Sequence, residues 1–174
     1  DTNNPRQVRV MSDTTFTAVF DRNTYSLACS VNVGNRGNVS GAGNYLYRDN
    51  ISIAATSYYG YHFTQWSDGN TQNPRMVRII RDTSFTAIFE RNTYSISGAV
   101  NVQDRGSISG VGNYLYLDSA SITANANYGY HFTQWSDGNT DNPRIIQITK
   151  DSTLTAEFDK NTYTVSANAN FEDR

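Results

Sequence analysis

Few side chains in this 174-residue chain are spaced to do chemistry. Asp137, Asn139 and Asp141 place oxygen atoms at alternate positions, the pattern with which calcium loops begin. The stretch 69 residues earlier has Gln72 in the third position, and no acidic residue follows where a bidentate glutamate would complete an EF-hand. A plain turn is therefore the competing reading, and no metal is expected. His62 and His131 are the only histidines, each without a second histidine or a cysteine nearby, whereas zinc takes three or four nitrogen or sulfur ligands. Both are expected on the outer face of a strand. Neither can belong to a Ser-His-Asp set, because they are copies of one position, and no Gly-x-Ser-x-Gly, Walker or paired-carboxylate pattern accompanies them. The expectation is a chain that is not an enzyme and carries no cofactor.

Cys29 is the single cysteine, so no disulfide can form within the chain. It aligns with Gly98 and Ala167, which asks for a small packed side chain rather than a thiol. Lys150 and Lys160 are the only lysines and align with Arg81 and Arg91, which gives a self-formed Lys–Asn bond little support. Arg75 and Arg144 recur near Asp68 and Asp137, a spacing that suits an ion pair tying down a turn.

Aromatic side chains make up 13% of the residues, and they allow two readings. Tyr25, Phe63, Trp66, Phe85, Phe89, Tyr94, Phe132, Trp135 and Phe158 are the expected core, because large rings dominate small β domains with few other bulky groups. Tyr45, Tyr47 and Tyr61 offer an alternative use, a platform that grips a glycan or a host protein.

These residues are positioned by a repeat. Asn23-Thr24-Tyr25 returns at Asn92 and Asn161, and the thirteen residues from Tyr59 to Thr71 recur letter for letter from Tyr128 to Thr140. About 41 of 69 positions are identical between 23–91 and 92–160. Residues 1–22 match the back of a unit and 161–174 the front of one. The frame is thus a partial repeat at 1–22, full repeats at 23–91 and 92–160, and a partial repeat at 161–174, with neighbours expected at both ends.

Each full unit reads as about six short strands. Tyr25, Leu27, Cys29, Val31 and Val33 alternate with polar residues, the period of a strand with one buried face. Shorter strands are expected at 38–40, at 51–55 and from Tyr59 to Trp66, where Ser67-Asp68-Gly69-Asn70 turns the chain; Tyr45-Leu46-Tyr47 lies between the first two, after a break at Gly41-Ala42-Gly43-Asn44. Residues 76–80 and 84–89 suggest a closing hairpin. No window shows a helical period.

A net charge of -2 and a pI near 5.6 exclude a basic, phosphate-neutralising surface, so no nucleic acid partner is expected. No apolar run approaches the roughly 20 residues that span a bilayer. The chain opens on Asp-Thr-Asn-Asn rather than on a leader, so a soluble, mature segment without membrane insertion is expected. Only Glu90-Arg91 separates one unit from the next, too little for a free tether.

The string Tyr-Gly-Tyr-His-Phe-Thr-Gln-Trp-Ser-Asp-Gly, followed by Asn-Pro-Arg and Thr-Ala-Ile-Phe, resembles the divergent InlB B-repeat family of bacterial surface and secreted proteins. The resemblance covers the whole chain. It implies an all-β fold of β-grasp-like or small β-sandwich repeats, in end-to-end array, at the bacterial cell surface or outside the cell. The role it implies is a stalk, spacer or adhesin-like repeat with no catalytic residues. Expected partners are adjacent repeats of the same chain or identical chains, the latter joined into filaments by strand addition.

Overall fold

The computed structural model describes residues 2–169, and within them the chain folds twice into the same seven-stranded unit. The first contains β1 (Thr24–Val31), β2 (Gly37–Ser40), β3 (Gly43–Leu46), β4 (Asn50–Ser57), β5 (Tyr61–Trp66), β6 (Arg75–Arg78) and β7 (Thr83–Arg91). The second repeats them as β8 (Thr93–Val100), β9 (Gly106–Ser109), β10 (Gly112–Leu115), β11 (Ser119–Ala126), β12 (Tyr130–Trp135), β13 (Arg144–Gln147) and β14 (Ser152–Lys160). One 3-10 turn at Gln103–Arg105 is the only helical element among the described residues.

Each unit is a sandwich of two sheets. The larger runs β3-β1-β7-β5, with β1 and β7 parallel at its centre and antiparallel strands on either side. Counted within that sheet alone, the order is second, first, fourth, third, which is the β-grasp order. The smaller sheet, β2-β4-β6, is antiparallel and shares one core with the larger.

Alternation explains the core. Leu27 on β1, Ile53 and Ala55 on β4, Val77 on β6, and Ala87 and Phe89 on β7 face inward with Trp66, and Tyr25, Cys29, Val31, Phe63 and Phe85 pack half-buried around them. The second core repeats this with Ile96, Ile122, Ala124, Trp135, Ile148, Ala156 and Phe158, flanked by Tyr94 and Phe132. Trp66 and Phe89 are fully buried, linked through Phe63 at ring-centroid distances of 5.4 and 6.0 Å. Gly37 is bare for a reason of space: a β-carbon there would fall 2.6 Å from the Phe89 ring.

Three expectations are corrected. The unit has seven strands rather than six, because the chain resumes pairing at Gly43 directly after the Gly41 turn and forms β3 against β1. Residues 76–80 and 84–89 do not make a hairpin: β6 pairs with β4 in the small sheet, while β7 crosses to the large one between β1 and β5. Asp82 steers that crossing, since its carboxylate accepts the Ser26 N–H at 2.7 Å beside the start of β7. The buried stripe of β1 also ends at Val31, leaving Val33 exposed beyond the strand.

Residues 2–23 form no strand, and Phe16 and Phe20, the counterparts of Phe85 and Phe89, are exposed. The last strand of a unit is held by the first and fifth strands of that same unit. Residues 161–169 likewise carry no strand, and the rest of the expected partial repeat, 170–174, lies outside the described residues.

Candidate functional site

Most of the residues that attracted attention as chemistry serve the fold. Asp68 and Asp137 are gripped by Arg75 at 2.8 and 2.9 Å and by Arg144 at 2.9 and 2.7 Å, which holds both carboxyls below their ordinary range. Asn139 and Asp141 complete Asx-type turns, with backbone N–H donors on Asp137 Oδ1 and Asn139 Oδ1. Among the described residues no three His, Cys, Asp or Glu side chains group closely enough to hold a metal. Cys29 is half-buried, and burial pushes its thiol pKa up, away from reactivity.

The Asn-Pro-Arg motif has a structural role that sequence reasoning missed. Asn73 Oδ1 accepts the Ala55 N–H at 2.8 Å and its Nδ2 donates to the Ala55 carbonyl at 2.6 Å, so one side chain satisfies β4 as a strand would. Asn142 treats Ala124 identically. The indole N–H of Trp66 donates to the Gln72 carbonyl at 2.9 Å, fastening the same loop to the core.

Where two units meet, the side chains converge most densely. β7 passes into β8 through Asn92 alone. Both units hold that residue: its N–H donates to the Gly60 carbonyl at 2.8 Å, and its carbonyl accepts the Tyr116 N–H at 2.8 Å. Asn92 Oδ1 lies 2.8 Å from His62 Nδ1. The histidines are exposed, as expected of an outer face, but their position is explained by this bond to the next unit's first residue. One histidine per repeat, thirty residues before each Asn-Thr-Tyr, was the available signal.

Around Asn92 stands a cluster of rings. Tyr116 of the second unit meets Tyr59 at 5.7 Å, Tyr61 at 5.5 Å and Tyr94 at 6.2 Å, all edge to face. Its ring covers Gly60, whose φ of +82° and missing β-carbon are both required there. Arg91, the last residue of β7, donates to the Tyr116 carbonyl at 3.0 Å and to Asp118 Oδ1 at 2.7 Å, holding the Asp118 carboxyl below its ordinary value. Tyr59 reaches further, its hydroxyl donating to the Thr149 carbonyl at 2.9 Å. Loss of water and the neighbouring Tyr94 and Tyr116 raise the Tyr59 pKa.

Each half of this joint also stands alone. At the front, Arg22 donates to the Tyr47 carbonyl and to Asp49, and Tyr47 N–H to the Asn23 carbonyl. At the back, Asn161 donates to the Gly129 carbonyl and meets His131. Tyr128 there is wholly exposed, while its counterpart Tyr59 contacts Tyr116.

The three tyrosines considered as a ligand platform are divided among other tasks. Tyr45 is half-buried against the core with its hydroxyl donating to the Gly41 carbonyl, Tyr47 stands at the front of the first unit, and Tyr61 at the joint between the two units, against Tyr116.

A family model described as the divergent InlB B-repeat domain matches residues 27–93 and again residues 96–162. No curated protein and no solved structure matches the chain.

Proposed function

The chain belongs to the divergent InlB B-repeat domain family, and from that premise we propose that its two units form a semi-rigid spacer in a bacterial surface or secreted protein. They stack end to end, hold apart whatever flanks them, and take no part in catalysis. The family's association with surface and secreted proteins supports the location. Among the described residues no helix is long and apolar enough to cross a membrane.

One observation carries the mechanical part: the joint is a single residue, Asn92, bonded to Gly60 on one side and Tyr116 on the other. A flexible tether needs several residues with free torsions, whereas here the linker's own N–H and carbonyl are both engaged. Arg91 and Tyr59 add bonds on either side of it, so bending the joint breaks several contacts at once.

The test is a distance distribution between the units. Spin labels at Ser52→Cys and Ser121→Cys, equivalent exposed positions, should give one narrow peak in a Cys29→Ala background. A broad or bimodal distribution would defeat the spacer reading.

A further inference from the structure

The first and last strands of each unit are parallel neighbours at the centre of the large sheet, and this governs how the unit meets a pulling force. In the second unit β8 and β14 pair from Ser152↔Ile96 to Ala156↔Val100. The chain enters at the start of β8 and leaves at the end of β14, at opposite poles. Tension along the chain therefore slides these strands past each other and loads every rung together.

The ladder is extended at both ends by side chains. Below it, the Ser95 N–H donates to Asp151 at 2.7 Å. Above it, Asn101 does the work of two further rungs: its Nδ2 donates to the Phe158 carbonyl and its Oδ1 accepts the Phe158 N–H, each at 3.2 Å. Arg105 donates to the same carbonyl at 2.7 Å. The first unit repeats all of this with Ser26 and Asp82, Asn32 and Phe89, and Arg36. Among them Arg36 also reaches the joint, its guanidinium 5.6 Å from the Tyr61 ring centroid. They fasten two strands already paired, and their recurrence in both units marks them as part of the design.

We propose that each unit is a tension-bearing clamp, built to stay folded when its two ends are pulled apart, with Asn32 and Asn101 as the residues that reinforce the clamp. This goes beyond a spacer, which has only to hold distance. The direction of load decides its strength. The antiparallel pair β12 and β14, with Tyr130 opposite Lys160, opens one rung at a time when pulled from that shared end.

Single-molecule pulling on the full chain in a Cys29→Ala background tests this within one unit. Handles at Thr93→Cys and Lys160→Cys load β8 and β14 in shear; handles at Tyr128→Cys and Lys160→Cys unzip β12 from β14. All three positions are exposed. The shear geometry should need at least about twofold more force than the zipper geometry, because five paired rungs and the Asn101 bonds break together. Asn101→Ala should lower the shear force and leave the zipper force unchanged. Equal forces in the two geometries would overturn the proposal, and that comparison needs no ladder variant to fold. Because both handles sit in one unit, a flexible joint would sink the spacer reading without touching this result.

Discussion

The ring of Tyr116 lies directly over the bare Cα of Gly60, so the glycine of one repeat is shaped by the tyrosine of the next. Gly129, at the same position in the second unit and with nearly the same φ, has nothing within 4 Å of where a β-carbon would stand. The pair separates what the turn requires from what the neighbour requires.

Gly129→Ala should therefore cost only the strain of a left-handed alanine, about 1 kcal/mol. Gly60→Ala should cost that plus displacement of the tyrosine ring, a further 1–3 kcal/mol or so. Urea unfolding of both variants checks the ordering, and equal losses would remove the neighbour's part.

Arg91→Lys should widen the distance distribution between the units while leaving each folded. A lysine keeps the charge but loses the planar group that holds the Tyr116 carbonyl and Asp118 together. Electron–electron resonance on the labelled pair reads the width. Lys160 shows that the chain itself carries this substitution at the corresponding place.

Trp66→Ala should destabilise the first unit by about 3–5 kcal/mol, as expected for a fully buried ring. The second unit, with its own tryptophan, should still unfold cooperatively near its original midpoint. Two separated transitions by calorimetry are the expected trace; a folded variant with unchanged stability would end the core reading of Trp66.

Asn73→Ala leaves the Ala55 N–H and carbonyl without their partner and should cost about 1–3 kcal/mol. Asn73→Asp keeps the acceptor but loses the donor, and should fall between. Thermal unfolding ranks the two.

Acid should loosen the turns and the joint together. Asp68, Asp118 and Asp137 sit below the ordinary value of 3.8, chiefly because Arg75, Arg91 and Arg144 hydrogen-bond their charged forms. Unfolding raises each pKa, so the unfolded chain binds more protons at low pH. Their contribution is complete above the ordinary value and is lost as pH falls through the lowered one. Urea midpoints should stay level from neutrality to about pH 5 and decline below it; Asp118→Asn should remove the joint's share of that decline.

How much of this was legible varied with the length scale. The 69-residue period, the all-β class and the central place of Trp66 and Phe89 follow from residues visible in one chain, because alternation and ring size report burial directly. The partner of each strand was not legible. Residues 76–80 and 84–89 sit close enough for a hairpin, but β7 pairs instead with β1 and β5 in the other sheet, with the Asp82 bond to Ser26 beside its start. The joint was hidden for a related reason: Gly60, His62 and Tyr116 lie 56 residues apart at their extremes, and nothing local in the sequence links them. Asn73 was hidden too, because the amide that bridges Ala55 looks in sequence like any loop asparagine.

Asn92 belongs to two surfaces at once, as the last thing the upstream unit grips and the first the downstream unit grips. Asn23 and Asn161 occupy that same place on the two outer faces of this chain, each already seated. Were one molecule to approach another in the register of the internal joint, both asparagines would claim a single site, and one strand of polypeptide would have to be evicted. Continuity of the backbone resolves the conflict by supplying one residue where a complex would bring two.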